Sequence, residues 1–235
     1  MERTGAGMQE PPLAILFDLD NTLVDLVHAK MEACRAIVRV AGLGDPADLF
    51  SYFLREDHSF EDPRNILDFL ADQGIRSRET GEICVSIYEE VKLRCTRTYP
   101  GVPELLEACN GRGIALAIVT DANRRNAANR LEKAGISRFF DCLVTPESTG
   151  TWKPSPEPFL HALREVGIRP DRGLAVGDSP RRDIAPARAV GLTTVYAAYG
   201  DRFAGTRAED IPAHYTIRRP RDLLDLIPYP TGGTR

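Results

Sequence analysis

Ile15-Leu16-Phe17-Asp18-Leu19-Asp20-Asn21-Thr22-Leu23-Val24 runs from uninterrupted apolar residues into two carboxylates two positions apart. The apolar part, residues 13–19, has the length and composition of a strand buried on both faces, as strands of a parallel sheet are. The same shape recurs down the chain. Ala115–Val119 leads into Thr120-Asp121, Cys142–Val144 into Thr145, and residues 174–176 into Gly177-Asp178, while residues 193–198 supply a fifth run. Between these runs, residues 103–110, 124–134, 156–166 and 182–190 carry helical patterning. Strands alternating with helices predict an α/β fold, a Rossmann-like doubly wound parallel sheet with helices on both faces.

About 95 residues separate the first and second runs, far more than one crossover helix needs, so something is inserted there. Helical spacing over residues 27–40, 63–70 and 78–97 makes that insertion an all-α subdomain at residues 26–98. Tyr99-Pro100-Gly101-Val102-Pro103 then leads back into the sheet domain, expected to comprise residues 13–25 and 99–228. Residues 1–12 and the Gly-rich residues 229–235 are expected to be disordered tails.

Composition narrows the partners. A hydrophobic fraction of 43% and a charged fraction of 27% are ordinary globular usage. A formal net charge of -4 lacks the surplus of Lys and Arg that nucleic-acid binding needs, which leaves small molecules. Five scattered cysteines form no CxxC pair, and neither a secretory signal nor an apolar stretch of membrane-spanning length is present. The expectation is a soluble cytoplasmic protein, monomer or homodimer, that binds neither nucleic acid nor membrane.

Ligands of such sheets bind outside the carboxyl ends of the strands, where Asp18, Asp20, Thr120, Asp121 and Asp178 all fall. Two acids so close repel one another, and a divalent cation with a taste for hard oxygen ligands, Mg²⁺ (magnesium) above all, relieves the repulsion. Taken singly these residues have ordinary readings: Asp178 as a helix N-cap, Asp183 as a first-turn acid, Lys153 as a solvated charge. Their order along successive strand ends is what one phosphate site requires.

Asp18-Leu19-Asp20-Asn21-Thr22-Leu23-Val24, Val119-Thr120-Asp121, Lys153-Pro154 and Gly177-Asp178-Ser179-Pro180-Arg181-Arg182-Asp183 resemble the four ordered motifs of the haloacid dehalogenase (HAD) superfamily. The helical insert is similar to the cap of its phosphoglycolate phosphatase-like subfamily, and the pattern around residues 99–102 and 119–123 is similar to archaeal glyceraldehyde-3-phosphate phosphatases. The resemblance implies a phosphatase acting on a small phosphorylated metabolite. Asp18 would be the nucleophile that forms an aspartyl-phosphate, and Asp20 the general acid and base. Thr120, the Asp121 backbone N–H and Lys153 would bind the phosphoryl group. Asp18, the Asp20 carbonyl and Asp178 would hold Mg²⁺, with Asp183 supporting a metal-bound water or Lys153. Specificity would come from the cap, where Lys30, Arg55, His58, Arg64 and Asn65 are the candidates.

Other chemistries compete. A phosphomutase uses the same four motifs, and receiver-like phosphate-sensing modules also place an acceptor Asp beside Mg²⁺, though without a large insert after the first strand. Dehalogenases of this fold lack the second acid, which here is Asp20. Phosphonate hydrolysis needs a cap amine, and neither Lys30 nor Lys92 stands out. Gly111-Arg112-Gly113 lacks the third glycine and preceding strand of a dinucleotide fingerprint, and no Walker motif occurs.

Overall fold

The apolar run that precedes Asp18 forms β1 (Ala14–Phe17) in the computed structural model, which describes residues 8, 10–55, 57–202 and 211–228. Of the terminal segments expected to be disordered, residues 1–7, 9 and 229–235 lie outside those residues. After β1 come α1 (Leu26–Ala41), α2 (Pro46–Tyr52), α3 (Arg64–Asp72) and α4 (Arg78–Arg94). Strands and helices then alternate: α5 (Val102–Gly111), β2 (Ala115–Val119), α6 (Arg124–Lys133), β3 (Cys142–Val144), α7 (Pro146–Thr149), α8 (Glu157–Val166) and β4 (Gly173–Gly177). A π-helical turn (Pro180–Ile184), α9 (Ala185–Ala189), β5 (Thr193–Ala197) and β6 (Tyr215–Ile217) complete the order.

All six strands pair in parallel, in the order β3-β2-β1-β4-β5-β6. The chain builds outward from β1 through β2 to β3, then returns to the opposite flank of β1 with β4. This reversal places the carboxyl ends of β2, β1 and β4 side by side at the switch point of the sheet, where α/β folds bind ligands.

Side-chain alternation along each strand divides the core between the two faces. Ile15, Phe17, Leu116, Ile118, Leu174 and Val176 pack with Val102, Leu105, Leu106 and Leu131 on one face. Ala14, Leu16, Ala117, Val119 and Ala175 pack with Phe159, Ala162, Leu163 and Ala187 on the other. Both faces of β1 are therefore dry, which is why its sequence is apolar without interruption.

The chain divides into two compact units: the described residues up to Asp25 together with those from Thr98 onward, and Leu26–Arg97. In the helical unit, α1 packs against α4 and α2, and its Ala29, Ala33, Cys34 and Ile37 are fully buried. Asp45 caps α2 and Ser77 caps α4, each accepting from a backbone N–H of the first turn. Phe53 stacks on Tyr88 with centroids 5.2 Å apart, and Tyr52 meets Phe69 edge-on at 5.3 Å.

Three differences from the sequence expectations have physical causes. β6 was not anticipated, because Tyr215-Thr216-Ile217 is too short to show a pattern and pairs only as an edge strand. The helix expected over residues 182–190 is split, since Pro186 cannot donate a backbone hydrogen bond to a continuous helix and the first turn widens to π geometry. α2 and α7 begin with Pro46 and Pro146, residues readily taken for breakers that are favoured in a helix's first turn.

Candidate active site

Asp18 follows β1 directly and its backbone N–H donates to the Val176 carbonyl of β4 at 2.9 Å, so the ladder itself fixes where its side chain starts. Leu23 and Val24 donate back to the Leu19 carbonyl and Asn21 adopts φ 63°, which folds residues 19–24 into a tight turn. A left-handed asparagine is tolerated there because its short polar side chain suits that region. Asn123 caps α6 by accepting from the Asn126 N–H at 2.8 Å, which begins that helix immediately past Thr120 and Asp121.

Lys153 is the centre of the site. Its side chain is 2% exposed, and its ammonium donates to Asp18 Oδ1 at 2.6 Å, to Asp183 Oδ1 at 2.6 Å and to the Val119 carbonyl at 3.1 Å. Three acceptors match its three protons, as a buried ammonium requires. Asp183 also accepts from the Ser179 N–H at 2.9 Å. Gly177 permits this fold-over, because a Cβ there would lie 2.4 Å from the Asp183 Cβ. Carboxylate oxygens of Asp18, Asp178 and Asp183 all lie within 4.8 Å of one another.

Three buried carboxylates around one lysine leave excess negative charge. Burial pushes the Asp18 carboxyl up to about 7, against the pull of Lys153 and with Asp183 adding to the rise. Burial, with Asp18 and Asp183, pushes Asp178 well above the usual carboxylate range. Burial alone would push the Lys153 ammonium down, but Asp18 and Asp183 outweigh it and hold the group above the lysine range. A hard divalent cation beside Asp18 and Asp178 would neutralise that excess, so the donor set fits Mg²⁺. The carboxylate of Asp20 is not one of the three, and the contribution expected of it is its backbone carbonyl.

The raised values fix a pH dependence. Folded protein free of cation holds a proton on Asp18 up to about 7, whereas the unfolded chain releases it near 3.8. The associated stability is complete below the unfolded value and is lost as pH rises through the folded one. Melting of EDTA-treated protein should therefore fall in temperature between about pH 4 and 7, with Mg²⁺ restoring it and Asp18→Asn flattening the slope. A wild-type profile no steeper than that of the variant would contradict the arrangement.

Asp20 points elsewhere: its carboxylate forms an ion pair with Arg130 of α6, whose side chain is 3% exposed. Thr120 accepts from the Ala122 N–H at 3.2 Å. Asp121, expected to contribute its backbone N–H, also uses its carboxylate. It accepts from the Lys153 N–H at 2.8 Å and lies 3.6 Å from Arg182, so it anchors the segment that delivers Lys153. Sequence reasoning assigned no role to Thr22 or Arg130. The Thr22 hydroxyl lies 3.1 Å from Asp18 Oδ2 and, at the long limit, 3.5 Å from Asp178 Oδ1. A hydroxyl two residues beyond the second acid was a visible signal for Thr22. Arg130, one of several basic residues on a polar helix, offered none.

The five specificity candidates make contacts within the helical unit. Lys30 is fully buried, donates to the Phe60 carbonyl and sits 3.8 Å from the ring centroids of both Phe53 and Phe60. Asn65 donates to the carbonyls of Ser59 and Asp62. Arg64 pairs with Asp62, His58 with Asp68, and Arg55 lies over the Tyr52 ring. Together Lys30 and Asn65 hold the segment between α2 and α3 from beneath.

Residues 12–191 match the family model of the haloacid dehalogenase-like hydrolases. A phosphoglycolate phosphatase of Aquifex aeolicus is 30% identical over 215 residues, covering 91% of this chain and 95% of its own. A glyceraldehyde 3-phosphate phosphatase of Methanopyrus kandleri is 29% identical over 225 residues, covering 91% and 96%. Among solved structures, a HAD phosphatase from Thermococcus onnurineus superposes with a TM-score of 0.65 at 23% identity, covering 93% of this chain and 99% of its own. At that identity the structural likeness speaks for the fold alone. Among the described residues, no helix is long and apolar enough to cross a membrane.

Proposed function

This chain belongs to the haloacid dehalogenase-like hydrolases, and on that premise we propose that it is a Mg²⁺-dependent phosphatase of small phosphorylated metabolites, with Asp18 as nucleophile. The observation that carries this reading is the buried Lys153 bridging Asp18 and Asp183 beside Asp178 at the switch point of the sheet. The names of the relatives support a phosphomonoester. The two named substrates share a phosphomonoester and differ in the organic part, at nearly equal identity to this chain.

In the first half-reaction an Asp18 oxygen attacks phosphorus, the bond to the leaving oxygen breaks, and an aspartyl-phosphate forms. Lys153 and Thr22 each hold one Asp18 oxygen, which orients the carboxylate before substrate arrives. Negative charge developing on the phosphoryl oxygens would meet the Lys153 ammonium, the Thr120 hydroxyl and the Asp121 backbone N–H. Asp20 would protonate the leaving oxygen and then take a proton from the water that hydrolyses the intermediate. Its pairing with Arg130 suits the second role, in which it acts as a base, and must open for the first. Mg²⁺, held by Asp18, Asp178 and the Asp20 carbonyl, would supply charge neutralisation at the phosphoryl group.

The helical unit would act as the cap, with Arg55 and His58 of the segment between α2 and α3 and Arg64 at the start of α3 as its polar candidates. All five cysteines are free, which supports a cytoplasmic location. Free phosphate and isomerised product should be measured over a panel of phosphorylated metabolites and a generic aryl phosphate, with and without EDTA. The expected result is phosphate release that EDTA abolishes and Mg²⁺ restores. Product isomerised without phosphate release would make the protein a mutase, and turnover of neither kind would overturn the reading.

A further inference from the structure

The segment that follows β5 is pressed onto the turn that follows β1. Tyr199 donates its hydroxyl to the Thr22 carbonyl at 2.7 Å, and its ring meets Tyr99 edge-on with centroids 5.0 Å apart. Burial pushes the Tyr199 hydroxyl far above the ordinary phenol range, so it stays a donor across working pH. Beside it, a Cβ on Gly200 would lie 1.7 Å from the Asn21 carbonyl oxygen and 3.0 Å from the Asp178 Cβ, so only glycine lets the two backbones approach this closely. Arg202 pairs with Asp25 at 3.0 Å, and Asp201 is tied back to β5 by the Tyr196 hydroxyl at 2.6 Å. The turn is thus gripped at residues 21, 22 and 25 from one short stretch of chain.

Thr22 connects that grip to the chemistry. Its carbonyl is the acceptor for Tyr199, while its hydroxyl reaches Asp18 Oδ2 and Asp178 Oδ1. A carbonyl and a side chain on one residue share a backbone frame, and fixing the first limits where the second lies. We infer that Tyr199 is a positioning residue: through the Thr22 carbonyl it holds the Thr22 hydroxyl against Asp18 and Asp178, and so sets the affinity of the cation site. This rests on the phosphatase reading for the identity of the cation. Tyr199 itself touches neither the carboxylates nor the reacting atoms, and it acts only through Thr22.

The test is calorimetric titration with Mg²⁺ alone, which needs no turnover. Groups that orient metal ligands from outside typically cost about 10–100-fold in affinity when removed, so Thr22→Val should weaken Mg²⁺ binding by about that factor. Tyr199→Phe, one step further out, should weaken it by about 3–10-fold. Phenylalanine keeps the ring contact with Tyr99, and thermal melts check that the variant is folded. In the Thr22→Val background there is no hydroxyl left to orient, and adding Tyr199→Phe should cost less than about twofold more. Wild-type affinity in Tyr199→Phe overturns the inference, as does a full additive loss in the double variant. A wild-type protein that does not bind Mg²⁺ at all would overturn both this inference and the reading beneath it. Normal Mg²⁺ binding without phosphatase turnover would overturn that reading alone.

Discussion

Asp18→Asn should lower kcat for an aryl phosphate by about 10⁴-fold or more at saturating Mg²⁺, the scale on which losing a covalent nucleophile is felt. Asparagine matches aspartate in volume, and its amide oxygen can accept from Lys153 while its NH2 donates to the Thr22 hydroxyl, so the turn and the packing around position 18 are preserved. An amide does not attack phosphorus usefully, and no other carboxylate replaces it: Asp183 is engaged with Lys153 and the Ser179 N–H, and Asp20 with Arg130. Removing one of three crowded carboxylates also relieves repulsion. The variant, free of cation at about pH 8, should therefore melt no lower than wild type, which separates loss of chemistry from loss of fold. Steady-state kinetics with parallel melting curves make the measurement.

Lys153→Met should be the most damaging single change to stability in the site. Methionine keeps an unbranched stem of similar length but leaves Asp18 and Asp183 facing each other without a counter-charge. Removing one partner of a buried ionic cluster costs about 3–5 kcal/mol, because desolvation of the remaining charge is then uncompensated. The deficit should narrow as pH falls and Asp18 takes up a proton. Loss of the cation that meets phosphoryl charge should lower kcat by a further about 10²–10³-fold in the protein that remains folded. Chemical denaturation at two pH values measures the first effect and kinetics the second. Stability equal to wild type at neutral pH would mean that the Asp18–Lys153–Asp183 arrangement is not what holds these acids in the interior.

What was legible in the sequence follows from range. β1, β2 and β4 are central, buried on both faces, and therefore write their position as plain apolar runs; the polar residues that follow them mark the carboxyl edge without any knowledge of pairing. The order Asp18, Thr120, Lys153, Asp178 was readable for the same reason, since Asp18, Thr120 and Asp178 sit just beyond strands and Lys153 follows β3 after the four-residue α7. Contacts made only by tertiary packing were not readable. Arg130 reaches Asp20 across 110 positions and Tyr199 reaches Thr22 across 177, and neither leaves a local pattern. Asp121 was assigned through its backbone alone, because nothing near it in sequence shows that its carboxylate anchors Lys153. Lys30 shows the opposite difficulty. A charged residue on an amphipathic helix reads as exposed, yet the aromatic rings of Phe53 and Phe60 enclose it.

On the phosphatase reading, Asp18 carries the phosphoryl group during turnover. Rapid quenching of enzyme mixed with substrate and Mg²⁺, followed by borohydride treatment and peptide mass analysis, tests it most directly, because hydride reduces an acyl-phosphate and leaves a free carboxylate untouched. The predicted result is homoserine at position 18, formed only when substrate is present and absent from Asp18→Asn. Substrate hydrolysed at the normal rate with position 18 unmodified throughout the time course, or with the adduct on another carboxylate, would contradict it.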